Sequence, residues 1–316
     1  MHRFRSVRSS VVVALIGSLV GVACASSSTS SAGGDASPSD AAAFPVTLEA
    51  ANGSVTIEEQ PSRIVSISPT ATEMLFAIGA GDQVVAADSY SNYPSDAPTT
   101  KLSAFEPNVE AIAAYEPDLV VYADDTGDLE KSLDKLHIPA LSEPAAVTIQ
   151  DVYEQIEQLG DATGHPGEAN AASQQLRSKV ASIVGDVGDA GEGMTYYYEL
   201  DDTFYSATSD TFIGNVIGEL GLDNVADEAK GASSGYPQLS PEYIVDADPD
   251  LILLADTKCC GQTAEKVARR PGWQDLAAVR GDGVVELDDD VASRWGPRIA
   301  DLLEQVGEAV QARAAA

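Results

Sequence analysis

Histidine, cysteine and basic residues are scarce: the 316-residue chain has three His, three Cys and 18 Lys and Arg, against 50 Asp and Glu. Each shortage removes a class of function. With a formal charge of −32 the surface repels phosphate backbones and anionic headgroups, so nucleic acid is not an expected partner. Beyond the N-terminal segment only His137 and His165 remain. Two imidazoles are too few for a receptor of bare zinc or manganese, and a Ser–His–Asp arrangement would have to recruit His137 from LHIP. No metal site, cofactor or catalytic step is expected.

What is present begins with an export signal. MHRFRSVRSS carries Arg3, Arg5 and Arg8, and VVVALIGSLVGVA is an uncharged apolar run, short for a bilayer span, that ends at Cys24. Val22 and Ala23 suit a lipoprotein signal, whereas Gly21 stands where an aliphatic residue is usual. The alternative is plain cleavage in the small-residue stretch Ala23-Cys24-Ala25. Lipidation of Cys24 is the expectation, anchoring the protein outside the cytoplasm on the cell membrane. The tether SSSTSSAGGDASPSDAA has little to bury, and about 20 such residues reach roughly 25 Å. Removing residues 1–23 takes away three arginines and no acid, so −32 becomes −35. Acidity belongs to the body of the protein.

From Pro61 onward, short apolar runs alternate with segments of 3.6-residue period. RIVSIS, QVVAAD and DLVVYAD read as strands, the last without polar alternation, as expected when both faces are covered. Between the first two, Ala71, Met74, Leu75 and Ile78 share a helical stripe, with Thr70 and Glu73 spaced as a capping box and Gly79 or Gly81 as the stop. Residues 148–184 are helical, with Val152, Ile156 and Leu159 on one face, a break at Gly164-His165-Pro166, and Ala169, Ala172, Leu176, Val180 and Ile183 beyond it. TYYYEL, LILL and VVEL supply strands to a second half. The expected architecture is two α/β lobes bridged by a long rigid helix, with a ligand cleft between them. Its divisions are a signal peptide at 1–23, a lipid-anchored linker at 24–45, the first lobe at 46–147, bridging helices at 148–185 and the second lobe at 186–316.

The halves repeat each other. NVEAIAAYEPDLVVY at 108–122 returns as SPEYIVDADPDLILL at 240–254, each with an N-cap (Asn108, Ser240) and a glutamate two residues later (Glu110, Glu242). A carboxylate in the first turn favours the helix by roughly 0.3–1 kcal/mol, which would account for either glutamate alone. MLFAIGAGDQVVA and NVIGELGLDNVA repeat as well.

Several motifs invite chemistry. GASSG at 231–235 fits the pattern of a nucleophile elbow around Ser233, but its flanks read as loop rather than strand and helix. A secreted serine hydrolase, or an acidic surface scaffold, is the alternative function. DDTGD at 124–128 and DDD at 288–290 lack the alternating oxygens of a calcium loop. Cys259 and Cys260 could close a vicinal disulfide or remain two small apolar groups. More telling are the rings placed just past strands: Tyr90 and Tyr93 in SYSNYP, Tyr205 near the acidic pair 201–202, Tyr236 in GYP and Trp295 in SRWGPR. Ligands bind beyond the strand ends of α/β sheets, and apolar rings suit an organic one. Arg294 and Arg298 are unusual in so acidic a body.

As a set, RIVSISPTATEMLFAIGAGDQVVAAD, NVEAIAAYEPDLVV, TFIGNVIGELGLDNVA, YPQLSPEYIVDADPDLILL and GWQDLAAVRGDGVVELDDD…GPRIADLLEQV resemble the ferric-siderophore and cobalamin substrate-binding proteins of bacterial ABC importers, from about Pro61 to the C-terminus. The resemblance implies a monomeric receptor that holds a metal chelate between its lobes. It also implies one acidic residue per lobe meeting arginines of the permease dimer, here Glu110 and Glu242. The ligand contacts it implies are Thr70, Tyr90, Tyr93, Phe105, Tyr205, Tyr236, Asp290, Arg294 and Trp295. Tyr236 stands where cobalamin receptors would have tryptophan, and FEPNVEA fits a siderophore receptor equally well, so corrinoid and siderophore both remain. Few arginines are available for an acidic chelate, which favours a neutral or cationic one.

Overall fold

Secondary structure follows the apolar runs. The computed structural model describes residues 44–316, so the signal peptide, the tether and Cys24 lie outside the described residues. β1 (Val46–Ala50) and β2 (Gly53–Ile57) form an antiparallel hairpin. The first lobe continues with β3 (Ile64–Ile67), α1 (Pro69–Ala77), β4 (Val84–Ala87), α2 (Val109–Ala113), β5 (Leu119–Tyr122), α3 (Leu129–Asp134) and β6 (Ala140–Ser142). Two helices follow, α4 (Ile149–Thr163) and α5 (Pro166–Val187). The second lobe holds β7 (Thr195–Glu199), α6 (Phe212–Gly218), β8 (Asp223–Asn224), α7 (Pro241–Ala247), β9 (Leu251–Leu254), α8 (Ala264–Ala268), α9 (Ala277–Arg280), β10 (Val284–Glu286), α10 (Asp289–Ala292) and α11 (Ile299–Ala314).

The sequence repeat is a repeat of topology. The first sheet has the order β4-β3-β5-β6 and the second β8-β7-β9-β10, all parallel, so each lobe places its own second, first, third and fourth strands side by side. Register repeats too. Ile64 pairs with Leu119 in the first lobe, Tyr196 with Leu251 in the second, and both partners have moved by 132 residues.

Both faces of each sheet are covered, as the apolar strands require. On one face, Val65, Ile67, Val120 and Tyr122 pack under α2 and α3 with Ile112, Leu129 and Leu133. Tyr197, Ile252 and Leu254 do the same in the second lobe, with Ile244, Val267 and Trp273. On the other face one cluster serves both lobes. It runs from Ile64, Leu75, Val121 and Leu141, through Ile156, Leu159, Ala169 and Leu176, to Tyr196, Tyr198, Leu251, Leu253 and Leu303. At roughly 1.5–3 kcal/mol for each fully buried large side chain, this shared layer is a major cohesive contribution between the lobes.

The long bridging helix is α5, with α4 packed against it. α4 starts with a capping box between Thr148 and Asp151, and Gly164, at φ 83°, ends it in the left-handed region that favours glycine. Gly160 lets the two helices close, because a Cβ there would collide with Ala169. α5, about 33 Å long at 1.5 Å per residue, begins against the first lobe, where His165 Nε2 lies 3.3 Å from Gln83 Nε2. It ends against α11, where Gln311 Nε2 donates to the Asp186 carbonyl.

One local expectation changes. The cap of α1 is Ser68, whose side chain accepts from the Ala71 amide, and not a Thr70–Glu73 box. Pro69 takes the first helical position, so Thr70 is already inside the helix. The hairpin 46–57 is a further element: VTLEAANGSVTI turns at Ala51-Asn52, and Asn52-Gly53 between two alternating runs is a hairpin signal.

Candidate binding site at the lobe seam

Charged side chains that follow strands of the two sheets tie the lobes together. Glu73, on α1, is 3% exposed and accepts from Arg294 Nη1 at 2.7 Å, Arg298 Nε at 2.9 Å and Arg298 Nη2 at 2.5 Å. Arg294 Nη2 also reaches the Tyr90 carbonyl (2.8 Å), Asn92 Oδ1 (3.0 Å) and Asp290 Oδ1 (3.1 Å). Asn92 Nδ2 donates back to Asp290 Oδ2, which also accepts from Lys258 Nζ. Partial burial opposes ionisation of Asp290, but its bonds from Lys258 and Asn92 and the Arg294 charge outweigh it and hold the carboxyl below its usual range.

Around this strap stand the rings. Tyr90, Tyr93 and Phe105 follow β4; Tyr205 follows β7 and Tyr236 follows β8. All five are among the seven large hydrophobic side chains that are exposed among the described residues, with Phe105 at 71%. Tyr90 and Phe105 meet edge to face at 5.5 Å, and the Arg298 guanidinium lies 4.1 Å over the Tyr93 ring. Asp88 fixes the turn beneath: its carboxylate accepts from the Tyr90 amide (2.8 Å) and Ser91 Oγ (2.5 Å). Burial raises its pKa despite those bonds. In the second lobe, the Ser206 amide bonds the Pro237 carbonyl and Thr208 that of Gly235, which sets the Tyr205 and Tyr236 loops side by side.

Behind Tyr205 lies a second charged cluster. Glu199, fully buried at the end of β7, takes both terminal nitrogens of Arg270, at 2.6 and 2.5 Å. Arg270 is roofed by Trp273 (4.5 Å) and Phe204 (5.4 Å). Phe204 adopts φ 68°, a left-handed conformation costly for a bulky residue, and its ring packs against both Trp273 and the Arg270 guanidinium. Asp256, after β9, is also buried, and neither carboxylate oxygen has a partner. Burial, then the neighbouring Glu199 charge, push its carboxyl up to about 7, with Arg270 opposing.

The structure separates the residues read from the sequence into two groups. Tyr90, Tyr93, Phe105, Tyr205 and Tyr236 are open at the strand ends, with Asp290 half-buried between the lobes. Thr70, Arg294 and Trp295 are set into the seam: Thr70 is 3% exposed and packs near Gly296, Arg294 is 8% exposed, and the Trp295 Nε1 is buried without a partner. Cys259 and Cys260 follow β9 with their sulfurs 2.7 Å apart. Glu73, Asn92, Lys258 and the Glu199–Asp256–Arg270 group had no place in the sequence reading of the site. A glutamate beside Met74 and Leu75 on a buried stripe, with two arginines in SRWGPR, was the available signal for the first of these.

Glu110 and Glu242 occupy equivalent places. Each is exposed in the first turn of the helix before its lobe's third strand, with Asn108 or Ser240 as the cap, and neither forms a salt bridge among the described residues. Ser233 sits exposed in a one-turn 3-10 helix with no strand before it, as its loop-like flanks predict. No group of three or more metal-ligating side chains is found among the described residues.

Two parallel α/β sheets joined by one shared apolar layer, with exposed rings past the strand ends, have the build of a solute-binding protein. The chain belongs to the periplasmic binding protein family, whose pattern matches residues 64–291. It is 30% identical over 277 residues to an uncharacterized ABC transporter substrate-binding lipoprotein, YvrC, of Bacillus subtilis, covering 84% of this chain and 86% of that one. It is also 30% identical to a cobalamin-binding protein of Halobacterium salinarum, over 85% of this chain and 75% of the relative. The crystal structure of the periplasmic vitamin B12 binding protein BtuF of Vibrio cholerae superposes with a TM-score of 0.67 at 24% identity, over 81% of this chain and 99% of that one. The last likeness concerns the fold. The family's role is binding and transport rather than catalysis.

Proposed function

We propose that this protein captures a metal chelate of corrinoid type outside the cytoplasm and delivers it to an ABC permease, tethered to the cell membrane through Cys24. The observation that carries the ligand class is the set of five exposed rings at the strand ends of both lobes, a surface suited to a flat organic chelate rather than a bare ion. Charge narrows it further. Arg294 and Arg298 are taken up by Glu73, and Lys258 by Asp288 and Asp290, so the cations at the seam are already neutralised and an anionic chelate would find little to pair with. The relative named for cobalamin binding points the same way. Glu110 and Glu242 would meet one permease subunit each, orienting the receptor on a two-fold transporter.

The test is a thermal-shift and titration panel of cobalamins, cobinamide, ferric siderophores and haem. Stoichiometric binding of a corrinoid, without product, is expected. Binding by a ferric siderophore or haem alone would overturn the ligand class, and a response to none of them would overturn the receptor reading.

A further inference from the structure

The second lobe buries an ion pair that cohesion alone does not explain. Glu199, at the end of β7, meets both terminal nitrogens of Arg270, which also donates to Gln262 Oε1 at 3.0 Å. A buried pair of this kind is often no more stabilising than well-packed apolar side chains of the same volume, because both charges lose their water. What it supplies is geometry: a two-pronged contact between guanidinium and carboxylate fixes the plane of Arg270. That guanidinium lies over the Trp273 and Phe204 rings, whose centroids are 6.0 Å apart. Phe204 keeps its ring there at φ 68°, a conformation that a bulky residue holds only where its surroundings impose it. The next residue, Tyr205, is 40% exposed. Its backbone is tied in as well: the Leu200 amide donates to the Tyr205 carbonyl and the Leu239 amide to that of Phe204, both at 2.9 Å, and Tyr205 bridges antiparallel to Gln238.

We infer that Glu199, Arg270 and Phe204 form a positioning clamp that sets the outward direction of the Tyr205 ring for the ligand, an inference that rests on the corrinoid-receptor reading above. Glu199 and Arg270 act through Phe204, and Tyr205 is the contact they aim. A ring already held in place loses little freedom when a flat ligand packs on it, so the clamp raises affinity without adding a contact. This accounts for a charged pair and a strained backbone side by side next to an exposed tyrosine: the first two are specific rather than cohesive features.

The test is a set of double-mutant cycles read by isothermal titration with cyanocobalamin. Replacing the pair together, Glu199→Leu with Arg270→Met, keeps the volume and removes both charges; the urea midpoint stays or rises while affinity falls about fivefold. Tyr205→Ala lowers affinity about tenfold. In the Tyr205→Ala protein the paired replacement has no further effect, because no ring is left to aim, whereas in Tyr90→Ala, on the other lobe, it keeps its full effect. A general loosening of the lobe would instead weaken both backgrounds. Phe204→Gly, which suits the left-handed backbone and deletes the ring, gives the same pattern and serves if the charge-free protein does not fold. In hydrogen exchange the Leu200 and Ser206 amides open faster in these variants than any change in global stability accounts for. Losses that multiply in the Tyr205→Ala background, or wild-type affinity in the charge-free or Phe204→Gly protein, overturn the clamp. Failure of the wild-type protein to bind cyanocobalamin overturns the corrinoid reading instead, and the clamp is then decided by exchange: unchanged Leu200 and Ser206 amides overturn it.

Discussion

Arg294 reaches 221 residues back along the chain to place its Nη1 2.7 Å from Glu73 Oε1. Both groups are buried, and Arg298 shares the same carboxylate. Removing one member of a buried, hydrogen-bonded ion pair typically costs about 3–5 kcal/mol, since the remaining charge keeps its desolvation without its partner. Glu73→Ala leaves two guanidinia facing each other, so urea denaturation should show a loss of about that size. A loss below about 1 kcal/mol would mean that the strap contributes little to cohesion.

The exposed rings should behave in the opposite way. Tyr236 is 53% exposed and its ring is not part of any buried cluster, so Tyr236→Ala should leave the urea midpoint nearly unchanged. Ligand affinity should fall by about tenfold, equivalent to about 1.4 kcal/mol. Unchanged affinity in a titration with the best ligand of the panel would remove Tyr236 from the site.

Glu110 and Glu242 are exposed and outside any ion pair, so replacing both by alanine should cost no more than the helix N-terminal term, roughly 0.3–1 kcal/mol each. Ligand affinity should remain intact while uptake by cells is lost. Normal uptake by the double variant would sink the docking role.

Asp256 gives a pH dependence with a definite sign. Its carboxyl is raised to about 7 in the folded protein, against about 3.9 in an unfolded chain. The folded state therefore holds a proton that the unfolded state releases first. The stability it contributes is complete below about pH 4 and disappears as pH climbs through about 7. Calorimetry at fixed ionic strength should show Tm declining across that window, and Asp256→Asn, which cannot ionise, should decline less. Parallel profiles for the two proteins would exclude Asp256 as the source.

Much of this was legible beforehand because it rests on local chemistry. The strands at 119–122 and 251–254 follow unbroken apolar runs and those at 64–67 and 195–199 mostly apolar ones, and the caps at Asn108 and Ser240 each follow from a side chain reaching an amide within three residues. The duplicated glutamates are visible because the repeat keeps a constant offset. What was hidden is long-range. Glu73 has good capping spacing from Thr70, and nothing near it in the chain says that its partners lie more than 200 residues away. Asp256 is likewise one acid among 50 until the fold sets it beside Glu199. The resemblance marks Arg294 as a ligand contact, and only the fold shows that its guanidinium is also buried against Glu73.

The layer of side chains common to both halves has a kinetic corollary. With Leu159, Ala169 and Leu176 wedged between two sheets, swinging one half away would open a dry interior to water, so large-amplitude gaping is disfavoured. Empty and filled molecules would then present nearly the same outline to a translocator. Vacant copies should occupy it as competitors, and import should slow when this protein is overproduced relative to its cargo.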